Sequence, residues 1–97
     1  MTITARHYTF AEWLGRLIEE LHMKPIQFAE VSNISRSALS RYLSGGRIPT
    51  AEKQEQLVKA ICRISDFDEM ELGHKMRFYC HISALARLKK SPEVKEH

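Results

Sequence analysis

The stretch SNISRSALSRYLSGG, Ser32 to Gly46, holds five serines, two arginines, an asparagine and two glycines. Ile34 stands directly after the Ser32–Asn33 pair, and the remaining apolar positions are Ala38, Leu39, Tyr42 and Leu43, the spacing of one helical stripe. Ser35 stands where an N-cap belongs, and Gly45–Gly46 stands where a helix stops. What remains for the outer face is Arg36, Ser37, Ser40, Arg41 and Ser44. A helix that only covers a core has no use for that much guanidinium and hydroxyl chemistry. One that enters a groove of duplex DNA does: arginine bridges two acceptors on guanine, and serine reaches base or phosphate at short range.

The flanks support that reading. Upstream, Pro25 suits a first helical position, and Ile26, Phe28, Ala29 and Val31 follow it. That helix must be short, because Asn33 accepts left-handed backbone geometry. Downstream, "RIP" leads to Thr50, a cap for a further helix with Leu57, Val58, Ile61 and either Cys62 or Ile64 on its inner face. Helix, three-residue turn, helix, glycine stop and proline together make a helix-turn-helix layout. Small Ala29 lets the two helices pass closely, while Ile34 and Leu39 turn into the core.

An earlier helix is written in "TFAEWLGRLIEEL". Thr9 and Glu12 form a capping box, and Phe10, Leu14, Leu17, Ile18 and Leu21 make the stripe, with Arg16, Glu19 and Glu20 opposite. Gly15 weakens this helix or admits a neighbour; Trp13, off the stripe, covers a core edge. Past Ile64, Ser65 is expected to cap a short acidic helix, "DFDEMEL", ended by Gly73. "KMRFYCHISALARLKK" then reads as a helix with Phe78, Ile82, Leu85 and Ala86 on one side, and "SPEVKEH" as a frayed tail.

The 97-residue chain is 43% hydrophobic and carries a net charge of +3, enough for one small core. The charge is blocked. Residues 24–53 hold Lys24, Arg36, Arg41, Arg47 and Lys53 against Glu30 and Glu52. "DFDEME" carries four acids and no base, and residues 75–90 hold five bases and no acid. No run approaches a membrane span and no signal-like apolar segment opens the chain, so the expected compartment is the cytoplasm. Cys62 and Cys80 form no CxxC pair; His74, Cys80 and His81 lack metal-ligand spacing. No catalytic motif is present, so no enzyme, metal or cofactor is expected.

The segment KPIQFAEVSNISRSALSRYLSGGRIPT resembles the Cro/C1-type helix-turn-helix family of phage and bacterial repressors, XRE-like proteins. The matching residues are Phe28–Ala29, Ile34–Ser35–Arg36–Ser37, Leu39–Ser40–Arg41, Gly45 and Pro49. The resemblance implies an all-α, lambda-repressor-like bundle of five helices, here with an additional C-terminal helix. It implies a DNA-binding domain over 1–64, with its core at 9–64, and binding of double-stranded operator DNA as a homodimer. By position, base reading falls on Arg36, Ser37 and Arg41, with Ser40 beside them, so that residues 35–44 enter the major groove. Backbone contacts fall on Lys24, Ser35, Ser44, Gly45, Gly46, Arg47 and Lys53. The family's turn glycine is Asn33 here, and its phosphate-binding glutamine is replaced by Pro25, leaving Lys24 as the substitute. Residues 65–97 lie outside the resemblance and are expected to dimerise the protein. They also leave a second class open: an antitoxin of a toxin–antitoxin pair, or a helical protein-interaction adaptor.

Overall fold

In the computed structural model, which describes the backbone of residues 9–95 and the side chains of residues 9–86, Thr9 caps the first helix as its sequence dictates. Its Oγ1 accepts the Glu12 N–H at 3.2 Å, and Glu12 Oε1 accepts the Thr9 N–H at 3.1 Å. The helix, α1, runs Phe10–Glu20 and buries Phe10, Leu14, Leu17 and Ile18. Then follow α2 (Pro25–Ser32), α3 (Arg36–Ser44), α4 (Ala51–Ile64) and α5 (Glu69–Lys95). The fold is an all-α bundle of five helices, with no strand among the described residues.

All five helices feed one core. Phe10, Leu14, Phe28, Leu39, Tyr42, Leu57, Ile61, Leu72 and Met76 are buried in a single cluster. Each large apolar side chain so buried contributes roughly 1.5–3 kcal/mol. Trp13 lies at the edge of this core and stacks on Tyr79 of α5, ring centroids 5.2 Å apart. Gly15 faces Leu43, whose Cδ2 would lie 4.0 Å from a Cβ there: ordinary contact, not a requirement for glycine.

The C-terminal third departs from its expected layout. Residues 69–95 are one continuous helix, not a short acidic helix followed by another. Gly73 does not stop it, because a glycine stop needs left-handed backbone and only Gly45 among the described glycines has positive φ. Asp68, not Ser65, occupies the capping position: its Oδ2 accepts the Glu71 N–H at 2.9 Å. Ser65 Oγ instead donates back to the Ile61 carbonyl at 2.7 Å and closes α4. The inner face of α5 is Leu72, Met76 and Cys80. The expected stripe is largely outward, with Phe78 and Leu85 exposed, Ala86 exposed and Ile82 half-buried. In α4, Cys62 is half-buried and Ile64 faces solvent. The tail expected to fray keeps helical backbone as far as Lys95, beyond which the chain lies outside the described residues.

Helix α5 is tied to the bundle by more than apolar contact. The Phe10 N–H, an orphan donor at the start of α1, is taken by Ser83 Oγ at 2.9 Å, across 73 residues of chain.

Candidate nucleic-acid interface

The interface begins with the bend between α2 and α3. Asn33 adopts φ 57°, ψ 45°, the left-handed region that a short polar side chain tolerates. This lets the Asn33 N–H reach the Glu30 carbonyl at 3.2 Å and the Ile34 N–H reach the Ala29 carbonyl at 3.0 Å, closing α2. Ser32 is buried, and its hydroxyl donates to the Phe28 carbonyl. Two carbonyls still face away from α2, and α4 supplies their partner. Gln56 Nε2 donates to the Ser32 oxygen at 2.9 Å and to the Asn33 oxygen at 3.1 Å.

Helix α3 then starts at a defined point, because Ser35 Oγ accepts the Ala38 N–H at 3.0 Å. Leu39 and Tyr42 are each 2% exposed, and Ile34 is buried ahead of them. These three anchors fix the helix's rotation about its axis. Arg36, Ser37, Ser40, Arg41 and Ser44 are consequently all exposed. At ~100° per residue they fall within an arc of about 140°, so all five share one outward face. The Ser35 capping bond uses an oxygen lone pair and leaves the hydroxyl proton able to donate.

The far end of α3 closes tightly. Gly45 has φ 87°, and the N–H groups of Gly46 and Arg47 both reach back to the Arg41 carbonyl, at 2.9 and 3.3 Å. Ser44 Oγ donates to the same oxygen at 3.2 Å, and the Gly45 N–H donates to the Tyr42 carbonyl at 3.3 Å. The amides of Gly45 and Gly46 are therefore engaged within the helix end. This differs from the expectation that they grip a phosphate, since the left-handed turn directs them at α3's own last carbonyls.

Three exposed cations stand near α3 along the chain. Lys24 is exposed immediately before α2, Arg47 after α3, and Lys53 in the first turn of α4. The Lys59–Glu55 and Lys75–Glu71 ion pairs involve none of them. Burial raises the Tyr42 phenol above its ordinary range, and the nearby Arg47 guanidinium pulls the other way. The hydroxyl is thus a core group beside the interface, as packing periodicity implies.

Two features escaped the reading of residues. Ile26 is 51% exposed and, with Pro25, shares a groove of about 440 Å³ with Arg36, Ser40 and Ser44. Gln56 looks like any polar residue of an amphipathic helix; only its proximity to the bend gives it a role. A glutamine one residue before the buried Leu57 was the available signal.

Other chemistry is placed as follows. Cys80 is buried and its thiol is pushed up to about 12 by that burial, while His74 and His81 are exposed. Cys62 is also raised, by burial and then by Glu69 and Asp68. Among the described residues no group of three or more His, Cys, Asp or Glu is arranged to hold a metal ion. None of their helices is long and apolar enough to cross a membrane.

The family whose model matches this chain is described as helix-turn-helix, over residues 14–61. That span runs from the middle of α1 to near the end of α4 and contains the bend, its clamp and the outward face of α3. Neither a curated protein nor a solved structure matches the chain significantly. The match and the geometry agree: over residues 14–61 the chain is a Cro/C1-type, XRE-like helix-turn-helix protein, and with it a DNA-binding transcription regulator.

Proposed function

We propose that the protein binds a palindromic operator as a homodimer in the cytoplasm and represses transcription by occluding a promoter. The observation that carries this reading is the shared outward face of α3, with its two arginines and three serines exposed while Leu39 and Tyr42 lock the helix beneath. Arg36, Ser37, Ser40 and Arg41 read base edges in the major groove. Lys24, Ser35, Ser44 and Arg47, with Lys53, hold the sugar–phosphate chain on either side. Gly45 and Gly46 serve chiefly by turning the chain so that Arg47 lies beside the groove.

One such helix makes few base contacts, so two copies about one helical turn of DNA apart are needed for a useful affinity. Residues 65–97 supply the pairing. Random-site selection followed by footprinting tests the whole reading. A two-fold symmetric consensus with half-sites about 10 base pairs apart supports it. Selection of no sequence, with no salt-sensitive retention of duplex DNA, overturns it.

A further inference from the structure

Ile26 is the large apolar side chain that the helix-turn-helix itself leaves in solvent; the other exposed ones among the described residues, Ile64, Met70, Phe78 and Leu85, belong to α4 and α5. The packing of α2 does not require an isoleucine there. Phe28, Ala29 and Ser32 are its buried residues, and Ile26 lies about 200° round the helix from Phe28. With Pro25 it lines the α2 side of the groove beside α3, where Arg36, Ser40 and Ser44 line the other side. Those three also belong to the outward face of α3, so the groove is continuous with that face. We propose that this groove receives the 5-methyl edge of a thymine in the operator, with Ile26 as a specificity-determining residue beside Arg36 and Ser40. The proposal rests on the operator reading above and extends its base-reading set from α3 to α2.

Charge and chemistry choose the occupant. No carboxylate lines the groove, and the first turn of α2 carries no acid. Arg36 within the groove and exposed Lys24 just before it favour a polyanionic strand over an acidic or neutral surface. The α2 side, by contrast, offers no side-chain hydrogen bond. Pro25 and Ile26 are hydrocarbon there, and the Lys24 N–H is already taken by Gln27 Oε1 at 2.9 Å. Leu39 and Leu43 add further apolar lining. A base amino or carbonyl group set against these residues would lose its water without replacement. The apolar substituent that a base edge presents in the major groove is the thymine 5-methyl, and it meets no such penalty. Arg36 and Ser40, across the groove, keep their polar groups for the adjoining base pair. The operator should therefore carry one thymine per half-site next to the base pair that Arg36 reads.

Titration of the full chain against its selected operator tests this, with single thymines replaced in turn by deoxyuridine. That change removes the methyl group and leaves the base pair's hydrogen bonds intact. One thymine per half-site should respond. Loss of its methyl should weaken wild-type binding about fourfold, and on the order of 15-fold when both half-sites are changed. Ile26→Ala should bind the thymine duplex more weakly by a similar factor and should no longer distinguish it from the deoxyuridine duplex. Ile26→Val should keep most of the discrimination. Ile26 is 51% exposed, so thermal melts of both variants should match the wild type. Equal loss on both duplexes in Ile26→Ala would assign the residue to the sugar–phosphate chain and overturn the proposal. So would an operator with no methyl-sensitive thymine, or discrimination that survives Ile26→Ala. In each of those cases a selected two-fold symmetric site still upholds the operator reading. A wild-type chain that selects no sequence removes both.

Discussion

Gln56 on α4 holds the Ser32 carbonyl at the hinge of the helix-turn-helix at 2.9 Å, and the same amide reaches the Asn33 carbonyl at 3.1 Å. A single side chain thus fixes where α2 ends relative to α4, and with it the angle at which α3 is presented. Gln56→Ala is expected to cost about 1–2 kcal/mol in urea denaturation, the net worth of two hydrogen bonds lost from a partly buried turn. Operator affinity should fall beyond the loss of folded protein, because the helix is then less firmly aimed. Unchanged affinity of the folded fraction would show that the left-handed turn alone sets the angle.

Asn33 is the other half of that hinge, at φ 57°. Asn33→Gly should be close to neutral, while Asn33→Ala should lose about 1 kcal/mol, because a Cβ without a local polar partner is strained there. Thermal melts of the two variants side by side make the comparison. Equal melting temperatures would mean that the turn relaxes out of the left-handed region.

On the proposed function, Arg36 reads a base pair and Arg47 holds phosphate. Arg36→Ala is expected to cost about 1–3 kcal/mol on the selected site and to relax preference at one base pair. Arg47→Ala should weaken all sequences alike and reduce the salt slope by about one unit. Titration against the selected site, its single-base-pair variants and unrelated duplex distinguishes the two. A base-selective loss at Arg47 would move it into the reading set.

A Cβ on Gly15 would make ordinary contact with Leu43, 4.0 Å away, and the residue lies mid-helix. Gly15→Ala is expected to stabilise the protein by about 0.5–1 kcal/mol. A shift to lower stability would show that α1 and α3 close further in solution.

Cys80 gives a pH signature. Its folded thiol is pushed to about 12 from 9.0, so the folded state retains a proton that the unfolded chain releases. Its contribution is complete below about pH 9 and is lost progressively as pH rises toward 12. Cys80→Ala should therefore show a shallower decline of stability over that window. In the native state iodoacetamide should label half-buried Cys62 first, with Cys80 reacting only as fast as the chain opens. Equal labelling rates would place Cys80 at the surface.

Local codes made most of this fold legible. Thr9–Glu12, Ser35, Gly45 and Thr50 each specify a helix boundary through bonds to residues three or four positions away, and each boundary lies where its residues place it. The outward face of α3 followed from Ile34, Leu39 and Tyr42 for the same reason. Helix α5 was not legible in this way. Phe78 and Leu85 are more apolar than Met76 and Cys80, so hydrophobicity favours the face that stays outside. Against α1 and α4 the buried residues of α5 are nevertheless Leu72, Met76 and Cys80. The engagement of the Gly45 and Gly46 amides was equally hidden, because it depends on the backbone turn rather than on side-chain identity.

The bond from Ser83 to the first amide of α1 has a temporal side. During synthesis α1 emerges first, yet its starting turn and the flank beneath Trp13 stay uncovered until the chain has extended past residue 83 and α5 has folded back. A ribosome-bound chain stopped short of that point carries every residue of α3 but lacks the closing element of its scaffold. The scaffold beneath α3 therefore closes late, set by α5 rather than by α3 itself.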